Sequence, residues 1–318
     1  MKNRLLSPLT KPIFLYLGKG RSFMTETRRT NRFALLFFIY FMMTSVALAM
    51  VPAIRELSDS AYMLLAQLIC FLPPMAFYFF YTRKDVKQTL RLKPLGWKNV
   101  LIIISFAVSI QPVMSLLSYL MSLFFPNPVE QSIEGIQQSG LIVSMLSVAV
   151  IPALLEEVFS RGILLSGYQF LGRWKAAFAS ALLFGLLHMN PQQLPYAFVV
   201  GFIFCFLVER TDSLFAGILP HMIINGTTVV SIFTEGAGTG PIELEQSVIL
   251  VTLLLMALLS IPWLALLLYI FLKINPPKAE LQLMDETGNL YAERFITPSI
   301  VVIFLLYAAF GLFPYLST

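Results

Sequence analysis

The ionisable residues inside the apolar stretches of this 318-residue chain are few and fall into three short motifs. The motifs are PALLEEVFSRG, FGLLH and PHMIIN, and their polar residues are Glu156, Glu157, Arg161, His188, His221 and Asn225. His188 and His221 are the only histidines in the chain. Ionisable side chains at membrane depth are energetically costly, so each of these residues is a candidate for function.

Helical spacing arranges these residues in pairs. Glu157 and Arg161 are four residues apart, so they share a helix face and we expect them to form an ion pair. Glu156 points about 100° away from Glu157 and is free to face another element. His221 and Asn225 are also four residues apart and should project together.

The depth of two of these residues can be compared by counting from the turn near Gly172. Glu156 precedes this glycine by 16 residues, and His188 follows it by 16. In an antiparallel helical hairpin the two side chains then lie at the same level. The spacing therefore predicts a shared site within the membrane, while the side from which water enters stays open.

The chemistry that these residue types favour is hydrolysis by an activated water. A carboxylate in a low-dielectric site is suited to act as a general base, so Glu156 beside a neutral His188 is expected to hold and deprotonate water. His221 and Asn225 are expected to donate hydrogen bonds to the oxyanion that forms when a carbonyl becomes tetrahedral. Together these are the parts needed for peptide hydrolysis.

A divalent metal is an open alternative. Glu156, His188 and His221 are possible zinc ligands. However, the H-E-x-x-H helix of many metalloproteases is absent from the sequence, and a metal-free glutamate mechanism fits the residues equally well.

The composition is that of a membrane protein. Hydrophobic residues make up 58% and charged residues 12% of the chain, and the mean hydropathy is +0.79. A soluble domain carries about a quarter charged residues. The net charge of +5 comes from basic residues beside apolar spans, so we expect membrane lipid rather than nucleic acid as the partner.

The fold class that follows is all-α, a polytopic integral membrane helix bundle with about eight or nine transmembrane helices. A crossing needs about 20 apolar residues. The nine candidate spans are 33–53, 61–81, 99–126, 140–171, 174–189, 194–209, 213–234, 247–272 and 296–315.

The charges between the spans predict their orientation. If residues 1–32, which hold eight Lys or Arg, lie in the cytoplasm, the inner connections are 82–98, 172–175, 210–212 and 273–295. These contain twelve Lys or Arg, whereas the outer connections 54–60, 127–139, 190–193 and 235–246 contain Arg55 alone. Such a bias follows the positive-inside rule and favours a cell membrane protein with a cytoplasmic N-terminus.

The domain organisation is a basic tail, residues 1–32, followed by one transmembrane domain, residues 33–318. Residues 140–234 hold all three motifs and form its functional core. The Gly-rich acidic segment 235–246 is interpreted as a loose connection. Cys70 and Cys205 lie in apolar runs and are predicted to be free.

The three motifs resemble those of the CPBP intramembrane protease family, also called the Abi or type II CAAX prenyl protease family. That family has two glutamates followed by an arginine, then Phe-x-x-x-His, then His-x-x-x-Asn or Asp. This chain has Glu156-Glu157-Val158-Phe159-Ser160-Arg161, then Phe184 to His188, then His221 to Asn225, in the same order. Ser160 departs from the phenylalanine that is usual before the arginine.

The resemblance implies roles for these residues. Glu156 would activate water with His188 as its partner, and His221 with Asn225 would form the oxyanion side. Glu157, Arg161 and Phe184 would be supporting residues. Eukaryotic members trim the last three residues of prenylated proteins, whereas bacterial members resemble enzymes or immunity factors linked to peptide or bacteriocin processing.

The sequence therefore favours an intramembrane endopeptidase that acts on a membrane-associated peptide or a prenylated, CAAX-like protein, in a bacterial cell membrane. A non-catalytic scaffold or bacteriocin-immunity protein is the main alternative. A proton-coupled transporter is the third hypothesis, although the inverted repeats typical of transporters are not evident. The substrate and the oligomeric state are left open.

Overall fold

The computed structural model of the chain describes residues 13–16, 25–125, 133–235, 245–277, 281–284, 290–291 and 293–316. Most of the basic tail, part of the outer connection 127–139 and most of the segment 235–246 lie outside these residues. The interpretation of 235–246 as a loose connection therefore stays a prediction.

Nine helices follow one another along the described residues. They are α1 (Glu26–Met50), α2 (Asp59–Thr82), α3 (Trp97–Ser122), α4 (Leu141–Gly167), α5 (Arg173–Leu187), α6 (Leu194–Thr211), α7 (Phe215–Glu235), α8 (Gln246–Ile274) and α9 (Pro298–Leu312). Short helical turns are Pro52–Arg55, Val86–Thr89, Ile133–Gln138, Gln169–Leu171 and Phe313–Leu316.

Seven of these helices are long and apolar enough to cross a membrane, namely α1 to α4 and α6 to α8. The other two, α5 and α9, coincide with the remaining predicted spans but are shorter. The predicted fold class, a polytopic helical membrane bundle, is therefore confirmed. The two cysteines are free and buried, as predicted.

The first helix begins earlier than predicted, at Glu26 rather than at residue 33. The Thr25 hydroxyl accepts a hydrogen bond from the backbone N–H of Arg28 at 3.3 Å, which caps the helix, and Glu26 adds an acid to its first turn. Both features stabilise a helix start. The apolar pattern alone did not extend to this polar first turn.

A small three-stranded sheet was also not predicted by the hydrophobic pattern. Strand β1 (Ile13–Tyr16) pairs in parallel with β2 (Leu281–Met284), and β2 pairs antiparallel with β3 (Leu290–Tyr291). The sheet joins the N-terminal tail to the connection 273–295. Both were predicted on the inner side, so their pairing agrees with that assignment.

The predicted inner connections meet at one end of the bundle. Lys84 pairs with Glu26, and both Arg91 and Lys93 pair with Asp212. Further contacts at this end join Arg210 to the Asn275 carbonyl at 3.3 Å, Thr27 to Glu293 at 3.0 Å and Ser213 to the Lys93 carbonyl at 2.6 Å. Burial alone would lower the pKa of Lys84, but its hydrogen bond to Glu26 and the neighbouring Tyr78 raise it.

The described parts of the predicted outer connections meet at the opposite end. Hydrogen bonds there join Ser60 to Ser144, Gln137 to the Ile232 carbonyl, Gln192 to Ser118 and Tyr119 to the Gln246 carbonyl. The alternation of the nine helices between two ends therefore agrees with the predicted connectivity. Which end faces the cytoplasm rests on the charge bias alone.

Helix α4 is tied to the first helix and to the segment before α9 by one buried side chain. Asn31 donates to the Phe295 carbonyl at 2.7 Å and to the Thr297 hydroxyl at 3.0 Å, and it accepts from the Tyr168 hydroxyl at 2.8 Å. Asn31 and Tyr168 are both fully buried. A buried amide that satisfies three groups fixes the ends of these elements relative to one another.

Asn31→Leu should destabilise the bundle more than Tyr168→Phe. The leucine leaves the Tyr168 hydroxyl and the Phe295 carbonyl without their partner, at a cost of about 1–3 kcal/mol for each buried group. The thermal unfolding midpoint in detergent, read by intrinsic fluorescence, measures this. Equal midpoints for the two variants would contradict the central position of Asn31.

Labelling from the two sides of the membrane tests the orientation. A cysteine at Leu57 should react with a membrane-impermeant maleimide added to intact cells, whereas a cysteine at Lys93 should react only after the membrane is opened. The reverse pattern would place the basic end outside. The parent chain, whose two cysteines are buried, is the control for background labelling.

Candidate active site

A cavity of about 800 Å³ lies within the bundle, and the four residues predicted to be catalytic all line it. Glu156 comes from α4, His188 from the end of α5, and both His221 and Asn225 from α7. The cavity extends to Ser122 on α3, near the end of the bundle where the predicted outer connections lie. The structure therefore brings together side chains that are separated by up to 69 positions in the sequence.

Three side chains of the site form a hydrogen-bond network around the buried Glu157 carboxylate. Arg161 Nη1 donates to Glu157 Oε1 at 2.7 Å, as the four-residue spacing predicted. The same oxygen lies 2.9 Å from His221 Nδ1. Glu157 and Arg161 are fully buried, and their network with His221 joins α4 to α7.

Close packing around this network depends on one glycine. A Cβ atom on Gly217, on α7, would lie 2.4 Å from Glu157 Oε2. The absence of a side chain at this position therefore lets α7 approach the carboxylate. The close approach is what brings His221, four residues further along the same helix, within hydrogen-bonding distance of Glu157.

Aromatic rings separate Arg161 from the cavity. Its guanidinium carbon lies 4.3 Å from the centre of the Phe184 ring and 5.5 Å from that of Phe204. Both rings line the cavity, whereas Arg161 does not. Phe184, predicted as a supporting residue, therefore contributes a cation–π contact and forms part of the cavity wall.

The Glu156 carboxylate faces away from the ion pair and toward the cavity. Its Oε1 accepts a hydrogen bond from Gln67 Nε2 at 3.3 Å, and its Oε2 lies 3.9 Å from His221 Nε2. The second distance is too long for a direct hydrogen bond but fits a bridge through one water molecule. His221 therefore lies between the two glutamates, with one ring nitrogen toward each.

His188 occupies a chain turn at the edge of the cavity. Its Nδ1 lies 2.9 Å from the Phe184 carbonyl, an acceptor, so Nδ1 carries the proton and Nε2 is left for other partners. The turn beyond it is held by the Asn190 side chain, which accepts from the backbone N–H groups of Gln192 and Gln193 at 2.8 and 3.2 Å. His188, Met189, Asn190 and Gln193 of this turn line the cavity.

Asn225 has a structural contact that the sequence did not predict. Pro152 has no N–H to donate to the carbonyl four residues earlier, which is that of Val148. Asn225 Nδ2 donates to this carbonyl at 3.0 Å. One amide N–H of Asn225 is therefore used to support α4, and the second is left for a ligand in the cavity.

The geometry differs from the predicted pairing in one respect. Glu156 was expected to work with His188, and His221 with Asn225 on the opposite side. In the structure the His221 imidazole approaches the Glu156 carboxylate, with Nε2 lying 3.9 Å from Oε2. The physical reason is that Glu157 orients the His221 ring, whereas His188 is bound to the backbone of its own helix.

Sequence reasoning also missed Gln67. It lies on α2, outside the three motifs, and is a polar residue in an apolar span. An isolated glutamine at membrane depth is a signal for an interhelical hydrogen bond. Nothing in its spacing, however, indicated that its partner would be Glu156.

The described residues contain no group of three or more His, Cys, Asp or Glu placed to hold a metal ion. One nitrogen of His221 is bound to Glu157, and Nδ1 of His188 is bound to a carbonyl. Glu156, His188 and His221 line one cavity but are not arranged as a ligand set. Metal use therefore stays a prediction, and no chemical step below depends on it.

Breaking the buried pair should be costly for stability. Arg161→Met leaves the Glu157 carboxylate buried without its cation, and loss of one partner of such a pair costs about 3–5 kcal/mol. The double variant Glu157→Gln, Arg161→Met should recover part of this loss. Thermal unfolding in detergent measures both, and a single variant as stable as the parent would contradict the assigned network.

A family model matches residues 138–227, and its description is type II CAAX prenyl endopeptidase Rce1-like. The match covers α4 to the middle of α7, which carry Glu156, His188, His221 and Asn225. No curated protein and no solved structure matches the chain. The resemblance to the CPBP family is thereby confirmed over residues 138–227, which are similar to the type II CAAX prenyl endopeptidase model.

Proposed function

We propose that the protein is an intramembrane endopeptidase that hydrolyses a peptide bond with a water molecule activated by Glu156. The observation that carries the proposal is the 3.9 Å gap between Glu156 Oε2 and His221 Nε2 at the wall of the cavity. A water in this gap would be held by two polar partners and would face the space available to a substrate.

The Glu157–His221 contact supports a defined protonation state of the imidazole. Because Glu157 Oε1 lies 2.9 Å from Nδ1, the proton of the neutral ring belongs on Nδ1. Nε2 is then an acceptor directed toward the water. In the Ser-His-Asp triad a carboxylate likewise holds the imidazole in one tautomer.

The proposed reaction proceeds in two steps. Glu156 takes a proton from the water as the water oxygen bonds to the carbonyl carbon, and the carbonyl oxygen becomes an oxyanion. The free amide N–H of Asn225 donates to this oxyanion. Glu156 then gives its proton to the nitrogen as the C–N bond breaks, which leaves a carboxylic acid and an amine.

His188 completes the cavity without a direct contact to Glu156. Its Nε2 is free to accept a hydrogen bond from an amide N–H of the substrate or from a second water. This replaces the sequence-based assignment of His188 as the partner of the base. In this proposal it orients the substrate, and His221 orients the water.

The substrate class we propose is a membrane-associated or lipidated peptide. The cavity lies among helices that span the membrane, so a segment anchored in the lipid can reach it by lateral diffusion. The Rce1-like match supports peptide hydrolysis in general terms. We further propose a bacterial cell membrane, with the basic end of the bundle in the cytoplasm.

Glu156→Gln should lower the rate of peptide cleavage by about 10²–10⁴-fold, because general base catalysis contributes that much. The substrate for this assay is identified by screening peptides with and without a prenylated cysteine and detecting the cleavage products by mass spectrometry. Glu209→Gln is the matched control, since Glu209 pairs with Arg173 and does not line the cavity. Equal cleavage by the parent and Glu156→Gln would refute the proposal and favour a non-catalytic scaffold.

Chelation separates the two mechanisms that the sequence left open. If water is activated by Glu156 alone, dialysis against a chelator should leave the cleavage rate unchanged, and metal analysis should find less than one equivalent bound. Activity that is lost on chelation and restored by zinc would replace the metal-free mechanism.

A further inference from the structure

We infer that Arg91 is a positioning residue for the site, because it holds the helical turn from which Arg161 reaches Glu157 and, through it, His221. Arg91 lies in the predicted inner connection 82–98, outside the segment that the family model matches. Its effect on the reaction rests on the proposed function, whereas its effect on the His221 imidazole does not.

The Arg91 side chain joins two parts of the bundle that carry the buried network. Its Nη1 donates to the Arg161 carbonyl on α4 at 3.1 Å. Its Nε lies 3.5 Å from Asp212 Oδ1, in the turn between α6 and α7. A guanidinium presents several donors in a fixed planar geometry, so one side chain can hold both acceptors at a defined separation. This contact therefore relates α4 to the start of α7.

The backbone of the same connection packs against the same two elements. The Arg91 carbonyl accepts from the backbone N–H of Leu214, the residue before α7, at 3.1 Å. On the other side, a Cβ atom on Gly162 of α4 would lie 2.4 Å from Leu90 Cδ2. The missing side chain at Gly162 lets the buried Leu90 dock against α4. The connection is thus wedged between α4 and the start of α7.

Arg91 has a backbone conformation that depends on these contacts. Its φ of 48° lies in the left-handed region, which residues other than glycine seldom adopt. Such a conformation persists only where the surrounding structure determines it. Loss of the guanidinium contacts is therefore expected to let the connection relax away from α4.

The buried network would register such a movement. Arg161 lies in a π-helical turn of α4, Val158–Leu164, and π-helical turns are rare and are frequently found at functional sites. Its Nη1 reaches Glu157 Oε1 at 2.7 Å, and the same oxygen lies 2.9 Å from His221 Nδ1. A displacement of the Arg161 backbone, which Arg91 holds, therefore changes the contact that orients the His221 ring.

Lys93 offers a matched control within the same connection. Its ammonium group pairs with the Asp212 carboxylate, which Arg91 also contacts. Lys93→Gln removes a cation from that carboxylate but leaves the hydrogen bond between Arg91 and the Arg161 carbonyl in place. A comparison of Arg91→Gln with Lys93→Gln therefore separates the contact with α4 from a general loss of charge at this end of the bundle.

The two histidines allow the position of one imidazole to be measured directly. A chain labelled with ¹⁵N-histidine gives imidazole signals from His188 and His221 alone, and His221→Asn identifies those of His221. In solid-state NMR spectra of the full chain in proteoliposomes, Arg91→Gln should shift the Nδ1 and Nε2 signals of His221. The signals of His188 should stay in place, and Lys93→Gln should leave both histidines at the positions of the parent.

The kinetic consequence is a loss of rate rather than of binding. In the cleavage assay, Arg91→Gln should lower kcat at least about tenfold and change KM less than about twofold, because a small displacement of catalytic groups costs up to about 10²-fold in rate. Lys93→Gln should keep the kcat of the parent. A change confined to KM would count against a positioning role.

Arg91→Lys keeps a charge for Asp212 but replaces two separated donors by one ammonium group, so it should shift the His221 signals in the same direction by a smaller amount. If Arg91→Gln does not fold, this variant decides the question. His221 signals at parent positions in the folded Arg91 variants, or equal shifts in Lys93→Gln, would overturn the inference. Equal cleavage by the parent and Glu156→Gln would instead refute the hydrolytic function, and the NMR signals would still show whether Arg91 positions His221.

Discussion

The structure of the site depends on the contacts of one fully buried carboxylate, that of Glu157. It accepts from Arg161 on its own helix and contacts His221 on α7, so it offsets the cost of burying a guanidinium and fixes the orientation of an imidazole at the same time. The adjacent Glu156, directed about 100° away, is left without a cation and faces the cavity. Two neighbouring residues of the same type thus have opposite surroundings. The sequence motif with two glutamates has a physical reason here, since one carboxylate holds the imidazole and the other remains available for water.

Several irregularities of the backbone lie along the wall of the cavity. Pro152 breaks the hydrogen-bond pattern of α4, π-helical segments lie on both sides of it at Met145–Val150 and Val158–Leu164, and Asn225 satisfies the Val148 carbonyl. Helix α5 has 15 residues, about 22 Å at 1.5 Å per residue, which is shorter than the hydrocarbon core of about 30 Å. His188, Met189 and Asn190 in the turn at its end line the cavity. Wide helical turns of this kind are often found at functional sites.

Features set by local chemistry could be predicted from the sequence, whereas long-range pairings could not. Hydrophobic runs located all nine helices, and the four-residue spacing predicted the contact between Glu157 and Arg161. Counting from Gly172 placed Glu156 and His188 at a common depth, and both line one cavity. The contact of His221 with Glu157 could not be deduced, because it depends on the rotation of α7 and on its close approach at Gly217. The same holds for Gln67, whose partner lies 89 positions away, and for the strands near the termini, which carry no alternating pattern long enough to stand out.

The predicted catalytic residues and much of the opposite wall of the cavity come from different helices. The segment matched by the Rce1-like model contains Glu156, His188, His221 and Asn225, which activate water and hold the oxyanion in the proposed function. Much of the opposite wall of the cavity comes from α2 and α3, which precede that segment and include Gln67, Gln111 and Ser115. A change of wall residues can alter which peptide is bound while the Glu157–Arg161–His221 network stays intact.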